Sequence, residues 1–158
     1  MELPERKHPR LGGYDYSQNG YYFVTVCTKN RKNLLSAVER DDLGAPQLEL
    51  LPVGKVVQKY TYSISAHYQN VSVEKYVVMP NHVHMIIALH DGAPGSSRPT
   101  LSQIIGVWKR YINQECQLSL WQSSFYDEII RDDTHFLNVW QYIDSNPAAW
   151  QEDEYFTE

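Results

Sequence analysis

The stretch from Val71 to Leu89, VSVEKYVVMPNHVHMIIAL, holds two runs dense in β-branched and apolar residues, split by Pro80-Asn81. Proline fixes its own φ and asparagine tolerates turn geometry, so the pair predicts a tight connection between two antiparallel strands, Val71–Met79 and His82–Leu89. On a strand, side chains alternate between faces. Val83, Met85, Ile87 and Leu89 then enter an apolar layer, while His82 and His84 leave the opposite face side by side.

Outward from this hairpin the other elements follow by period. Upstream, Val53, Val56, Val57, Tyr60 and Ile64 recur at three- and four-residue spacing and predict a helix over 53–67. Before it, YYFVTVCTK (21–29) follows Asn19-Gly20 and reads as a strand; residues 30–51 form a mixed connection with a minor hairpin around Gly44-Ala45-Pro46. Residues 1–20, rich in Pro, Gly and polar groups, read as an extended arm. Downstream, HDGAPGSSRPT (90–100) has loop composition, and Ser102 offers a cap to a helix with apolar positions Ile104, Ile105, Trp108, Tyr111 and Ile112, running to about Glu115. A fourth strand is expected over Phe125–Arg131. A third helix follows, capped by Asp132, Asp133 or Thr134, striped by Phe136, Val139, Trp140 and Ile143, and stopped by Pro147. This order predicts an α+β ferredoxin-like sandwich in a single domain. A four-stranded antiparallel sheet carries two helices on one face and the C-terminal, tyrosine-bearing helix on the other.

Length and composition agree with one domain: 158 residues, 42% of them hydrophobic. With 14 basic against 19 acidic side chains the net charge is −5, which excludes the strongly basic class of small DNA-coating proteins. The charge is graded, however. Residues 1–33 hold six basic and three acidic groups, whereas residues 127–158 hold Arg131 against nine carboxylates, and 148–158 read as a solvated acidic tail. Cys27 and Cys116 stand far apart without a partner motif, so any metal must be held by His, carboxylate or amide groups. No apolar run is long enough for a bilayer and no secretory leader is evident, so a cytoplasmic protein without a membrane partner is expected.

Two places concentrate chemistry. His82 and His84 aim two imidazoles at one point and could chelate a divalent ion, although a pair of this kind also occurs as structural histidines. On the third helix, at 100° per residue, Tyr142 and Asn146 lie about 40° apart on one flank of the buried stripe. If that helix covers the open sheet face, a phenol and an amide oxygen stand beside the histidines. A core tyrosine and a helix-ending asparagine would read the same way.

Several segments together resemble the single-tyrosine HUH transposases, in the branch of the REP-associated tyrosine transposases. They are Gly13-Tyr14-Asp15-Tyr16, Tyr22 to Thr28 with Asn30-Arg31, Val77 to His84, Trp121-Gln122 through Phe125-Tyr126 to Ile129-Ile130-Arg131, and Tyr142-Ile143 with Asn146-Pro147. The resemblance implies that His82 and His84 bind Mg²⁺ or Mn²⁺ with Asn146 as third ligand. It implies that Tyr142 is the nucleophile, and that the substrate is single-stranded or hairpin DNA joined through a 5′-phosphotyrosine. Where relatives carry a histidine before Ile-Ile-Arg this chain has Glu128, an alternative ligand. Arg6, Lys7, Arg10, Arg31, Lys32, Lys109 and Arg110 are candidate phosphate contacts, and Tyr14, Tyr16 and Trp121 candidate base-stacking rings. A non-catalytic hairpin-binding module and a metal-dependent hydrolase using water are the competing readings; a homodimer stays open, with the site built within one chain or shared between two.

Overall fold

A computed structural model describes residues 19–90 and 99–158; the predicted arm, with Arg6, Lys7, Arg10, Tyr14 and Tyr16, lies outside the described residues apart from its last two positions. The elements in chain order are β1 (Gly20–Cys27), β2 (Ser36–Arg40), β3 (Pro46–Leu50), α1 (Pro52–His67), β4 (Val71–Val78), β5 (His82–Leu89), α2 (Leu101–Cys116), β6 (Tyr126–Ile130) and α3 (Asp133–Ser145). Four strands form an antiparallel sheet in the order β4-β5-β1-β6, and β2 pairs with β3 in a separate ribbon. This is the ferredoxin-like arrangement expected from the sequence, with the minor hairpin around Gly44 as well.

The sheet has two apolar faces, which explains why β5 is buried along its whole length. On one face Tyr22, Val24, Val26, Val83, Met85 and Ile87 meet Val57 and Ile64 of α1 and Ile104, Ile105, Trp108 and Ile112 of α2. On the other, Phe23, Val77 and Ile86 meet Val139 and Ile143 of α3 together with Trp150 and Tyr155. Helix α3 is thereby fixed over the sheet, and Lys75 of β4 holds its far end by a 2.7 Å ion pair to Asp144.

Local chemistry sets the element ends. The cap of α2 is Thr100, not Ser102: its hydroxyl accepts from the Gln103 N–H while the Gln103 side chain accepts from the Thr100 N–H, a reciprocal pair that Ser102, already inside the helix, cannot make. Asp132 caps α3 by accepting from the His135 N–H at 2.8 Å. Gly54 lies where any Cβ would fall on the Leu35 carbonyl, so α1 approaches the preceding segment as closely as backbone allows.

Three further expectations need correction. Tyr111 is 42% exposed and stacks on Tyr60 of α1 rather than entering the core. Trp121 is buried against Trp108, so its ring is closed to a nucleobase. The acidic tail is no solvated appendage: Trp150 and Tyr155 are buried and Asp153 is turned inward, because the aromatic residues among its carboxylates complete the apolar layer over the sheet.

Candidate active site

The register of β1 against β5 sets Cys27 opposite His82 and Thr25 opposite His84, on the face that α3 covers. Both histidines are buried, and their Nε2 atoms lie 3.1 Å apart. Each Nδ1 has its own partner, the Asn81 Oδ1 at 2.8 Å for His82 and the Thr25 Oγ1 at 2.7 Å for His84. Asn81 is oriented in turn by donating to the Tyr155 carbonyl at 2.7 Å. Burial strips water from both rings and disfavours their charged forms. His82 is pushed down to about 3, partly opposed by the Asn146 side chain, and His84 is pushed well below the usual imidazole range by burial and by its neighbour. Both imidazoles are therefore neutral at pH 7, as metal ligands must be.

Helix α3 brings Tyr142 and Asn146 to the same place. The Tyr142 ring lies 5.3 Å from His84 and 6.0 Å from Phe23, with 39% of the residue exposed. Its hydroxyl is pushed up to about 12, first by burial, then by the carboxylates of Asp153 and Glu154. Asn146 is buried close to His82 and Tyr142; its amide donates to Asp153 Oδ2 at 2.7 Å, which leaves Oδ1 a buried acceptor with no hydrogen-bond partner among the described residues.

Asp153 is the component that sequence reading missed. One ligand atom from each of His82, His84 and Asp153 lies within 4.8 Å of the other two. Its carboxylate also accepts from the Tyr155 N–H at 2.8 Å, and burial raises its pKa. Tyr155 and Trp150 close over the histidines, with ring centroids 4.4 and 6.1 Å from that of His82. The signal available in the sequence was the run of Trp150, Tyr155 and Phe156 among the carboxylates, an unsuitable composition for a solvated tail. The set fits a divalent cation: ligand atoms of two neutral imidazoles and a carboxylate gather within 4.8 Å of one another, and that carboxylate is hydrogen-bonded to the side chain of Asn146, whose buried amide oxygen lacks a partner among the described residues.

Other candidates are distributed differently. Glu128 stands outside this cluster, 3.1 Å from His135 Nε2 at the start of α3. Lys109 donates to the carbonyls of Gln122 and Ser124 at 2.9 and 3.3 Å, fastening the loop before β6. Arg31 and Lys32 lie just beyond β1, where Asn30 and Arg31 both take left-handed φ angles of 55° and 52°. That turn is pinned beside the histidines, since Arg31 O accepts from Thr157 Oγ1 at 3.0 Å and from Asn81 Nδ2 at 3.3 Å. Arg110 is exposed on α2.

A ferredoxin-like sheet bearing paired histidines at alternate strand positions, faced by a helix with a single tyrosine, defines the class of single-tyrosine HUH transposases. Residues 16–146 match the family described as IS200-like transposases, and the chain belongs to that family. It is also 29% identical over 179 aligned positions to an uncharacterised protein of Haemophilus influenzae, covering 99% of this chain and 96% of that one. Among solved structures it resembles a REP-associated tyrosine transposase bound to a REP hairpin, with a TM-score of 0.65 at 20% identity over 98% of this chain and 76% of that chain. The latter likeness establishes the shared fold.

Proposed function

We propose that this transposase cuts and rejoins single-stranded hairpin DNA through a 5′-phosphotyrosine on Tyr142. The observation that carries the reading is the pair of Nε2 atoms 3.1 Å apart, with the Tyr142 ring 5.3 Å from that of His84. His82, His84 and Asn146 would hold a divalent cation, Mg²⁺ or Mn²⁺, with Asp153 as a further oxygen donor. When bound, the ion supplies positive charge that polarises the scissile phosphate and offsets the Asp153 and Glu154 carboxylates.

Tyr142 attacks phosphorus in line. The bond from its oxygen to phosphorus forms as the bond from phosphorus to O3′ breaks, leaving the 5′ end on the protein and a free 3′-hydroxyl that takes up a proton. Because the phosphodiester energy is kept, a second 3′-hydroxyl can reverse the step on another strand. The phenol must first lose its proton, and Asp153, the carboxylate that acts most strongly on it, is the group to which we assign that proton. Phe23 holds the Tyr142 ring edge-on, limiting its rotation. Tyr142 and His84 of one chain already adjoin, which supports a site completed within a single chain. Arg31, Lys32 and Arg110 are the described cations proposed to meet phosphates, and Arg6, Lys7 and Arg10 join them from outside the described residues.

Covalent capture tests the reading. Labelled hairpin DNA from beside the gene is incubated with the protein and Mn²⁺ or EDTA, then run on a denaturing gel. An adduct that needs Mn²⁺ and disappears in Tyr142→Phe is expected. Cleavage without an adduct would point to water as nucleophile, and binding without cleavage to a recognition module; either would overturn the proposal.

A further inference from the structure

We infer that His84 moves its ring proton from Nε2 to Nδ1 when the cation site fills, that Thr25 is the positioning residue permitting this exchange, and that Asn81 holds His82 in one tautomer throughout. The inference rests on the proposal that the two histidines are cation ligands, and it extends that proposal to the groups behind them.

The argument starts at Asn81, buried in the turn before β5. One end of its amide faces the carbonyls of Tyr155 and Arg31 at 2.7 and 3.3 Å. Carbonyls only accept, so that end is the NH₂ group and the other, 2.8 Å from His82 Nδ1, is the oxygen. The oxygen also only accepts. His82 Nδ1 therefore carries the proton, and His82 Nε2 presents a bare lone pair to the site.

That lone pair faces His84 Nε2 at 3.1 Å, hydrogen-bonding distance. Two bare nitrogens would repel each other there. Without a cation, His84 must carry its proton on Nε2 and donate it to His82. His84 Nδ1 is then an acceptor, and the Thr25 hydroxyl at 2.7 Å donates to it.

A cation held by both Nε2 atoms reverses this at one histidine only. His84 Nε2 must give up its proton, which reappears on Nδ1, and no proton leaves the ring overall. Thr25 then turns from donor to acceptor. A hydroxyl can play both parts through one oxygen, whereas an amide oxygen or a carboxylate only accepts. Asn81, locked by two backbone carbonyls, changes nothing, so His82 is ready for the metal before it arrives. The β1–β5 register that places Thr25 opposite His84 supplies the adaptable partner where the exchange is needed.

The test is the tautomer of each ring, read by long-range ¹H–¹⁵N correlation on ¹⁵N-imidazole-labelled protein, with signals assigned through His82→Gln and His84→Gln. The metal-free protein is expected to show His82 protonated at Nδ1 and His84 at Nε2. With Zn²⁺ as a diamagnetic probe, both rings should be protonated at Nδ1. A metal-free His84 already protonated at Nδ1, or a His82 that changes tautomer, would overturn the inference. If Zn²⁺ leaves both rings unchanged, the exchange and the cation-site reading fall together, whereas wrong metal-free tautomers with Zn²⁺ still bound would sink the inference alone. By calorimetry, Thr25→Val should weaken Zn²⁺ binding by about 10- to 100-fold, the usual range for removing the partner of a ligating histidine, and Thr25→Ser should restore it. Wild-type affinity in a folded Thr25→Val protein would remove Thr25 from the account.

Discussion

Two neutral imidazoles sealed beneath a phenol make the site sensitive to pH on both its acid and its alkaline side. His82 is held down to about 3 when folded but titrates near 6.5 when unfolded, so the unfolded chain binds an extra proton between these values. The folded state should be fully favoured above pH 6.5 and lose about 1.4 kcal/mol per pH unit below it for this group, with His84 adding in the same direction. Urea unfolding between pH 7 and 4 measures the slope, and His82→Gln should flatten it. At the alkaline side, Tyr142 is pushed up to about 12, so the phenolate fraction rises about tenfold per pH unit through neutrality. If loss of that proton limits the reaction, adduct formation at fixed Mn²⁺ should rise steeply from pH 7 to 9. A flat profile would show that the bound ion or Asp153 removes the proton ahead of the limiting step.

At the level of elements, the ends of helices and the C-terminal segment carry separable effects. Thr100 and Gln103 satisfy two otherwise open groups at the start of α2, and Thr100→Ala should lower stability by about 1 kcal/mol in thermal or urea unfolding without changing cation affinity. Residues 150–157 act differently, because their rings lie over the histidines and bury them completely. If a phosphate approaches His82 and His84 from this side, the segment has to yield first. Tyr155→Ala should therefore destabilise the fold by about 3 kcal/mol, as expected for a buried ring, while raising the rate of adduct formation. Equal rates in the variant and the parent chain would mean that the phosphate reaches the site from the exposed side of Tyr142. Gly54 belongs at this scale too: with the Leu35 carbonyl in the place of a Cβ, Gly54→Ala should force α1 outward and destabilise by about 1–3 kcal/mol.

At the scale of the molecule, the net charge of −5 argues for few and localised phosphate contacts. Removing one such contact should lower the salt slope of hairpin binding by about 0.7 to 0.9. Lys32→Ala and Arg110→Ala, both at exposed positions, are expected to show this in binding titrations from 50 to 200 mM salt. Lys109→Ala should instead lower stability, since its ammonium ties the carbonyls of Gln122 and Ser124 together. Among the described residues no helix is long and apolar enough to cross a membrane, and the exposed faces carry charges of both signs. What the sequence determined by itself was whatever repeats with a fixed period: the alternation that sets His82 and His84 on one face and Val83 and Met85 on the other, and the helical spacing that puts Tyr142 beside Asn146. Spacing of that kind is local, and neighbouring residues settle it. The turn at Pro80-Asn81 was legible for the same reason, though the grip of Asn81 on His82 was not, because it depends on the carbonyl of Tyr155, distant in the chain. Asp153, the burial of Trp121 and the inward use of Lys109 also escaped the sequence, since each follows from which surface a non-periodic segment meets. The tertiary structure decided those, because a carboxylate surrounded by other acids becomes part of a site only when the aromatic residues beside it have an apolar sheet face to cover.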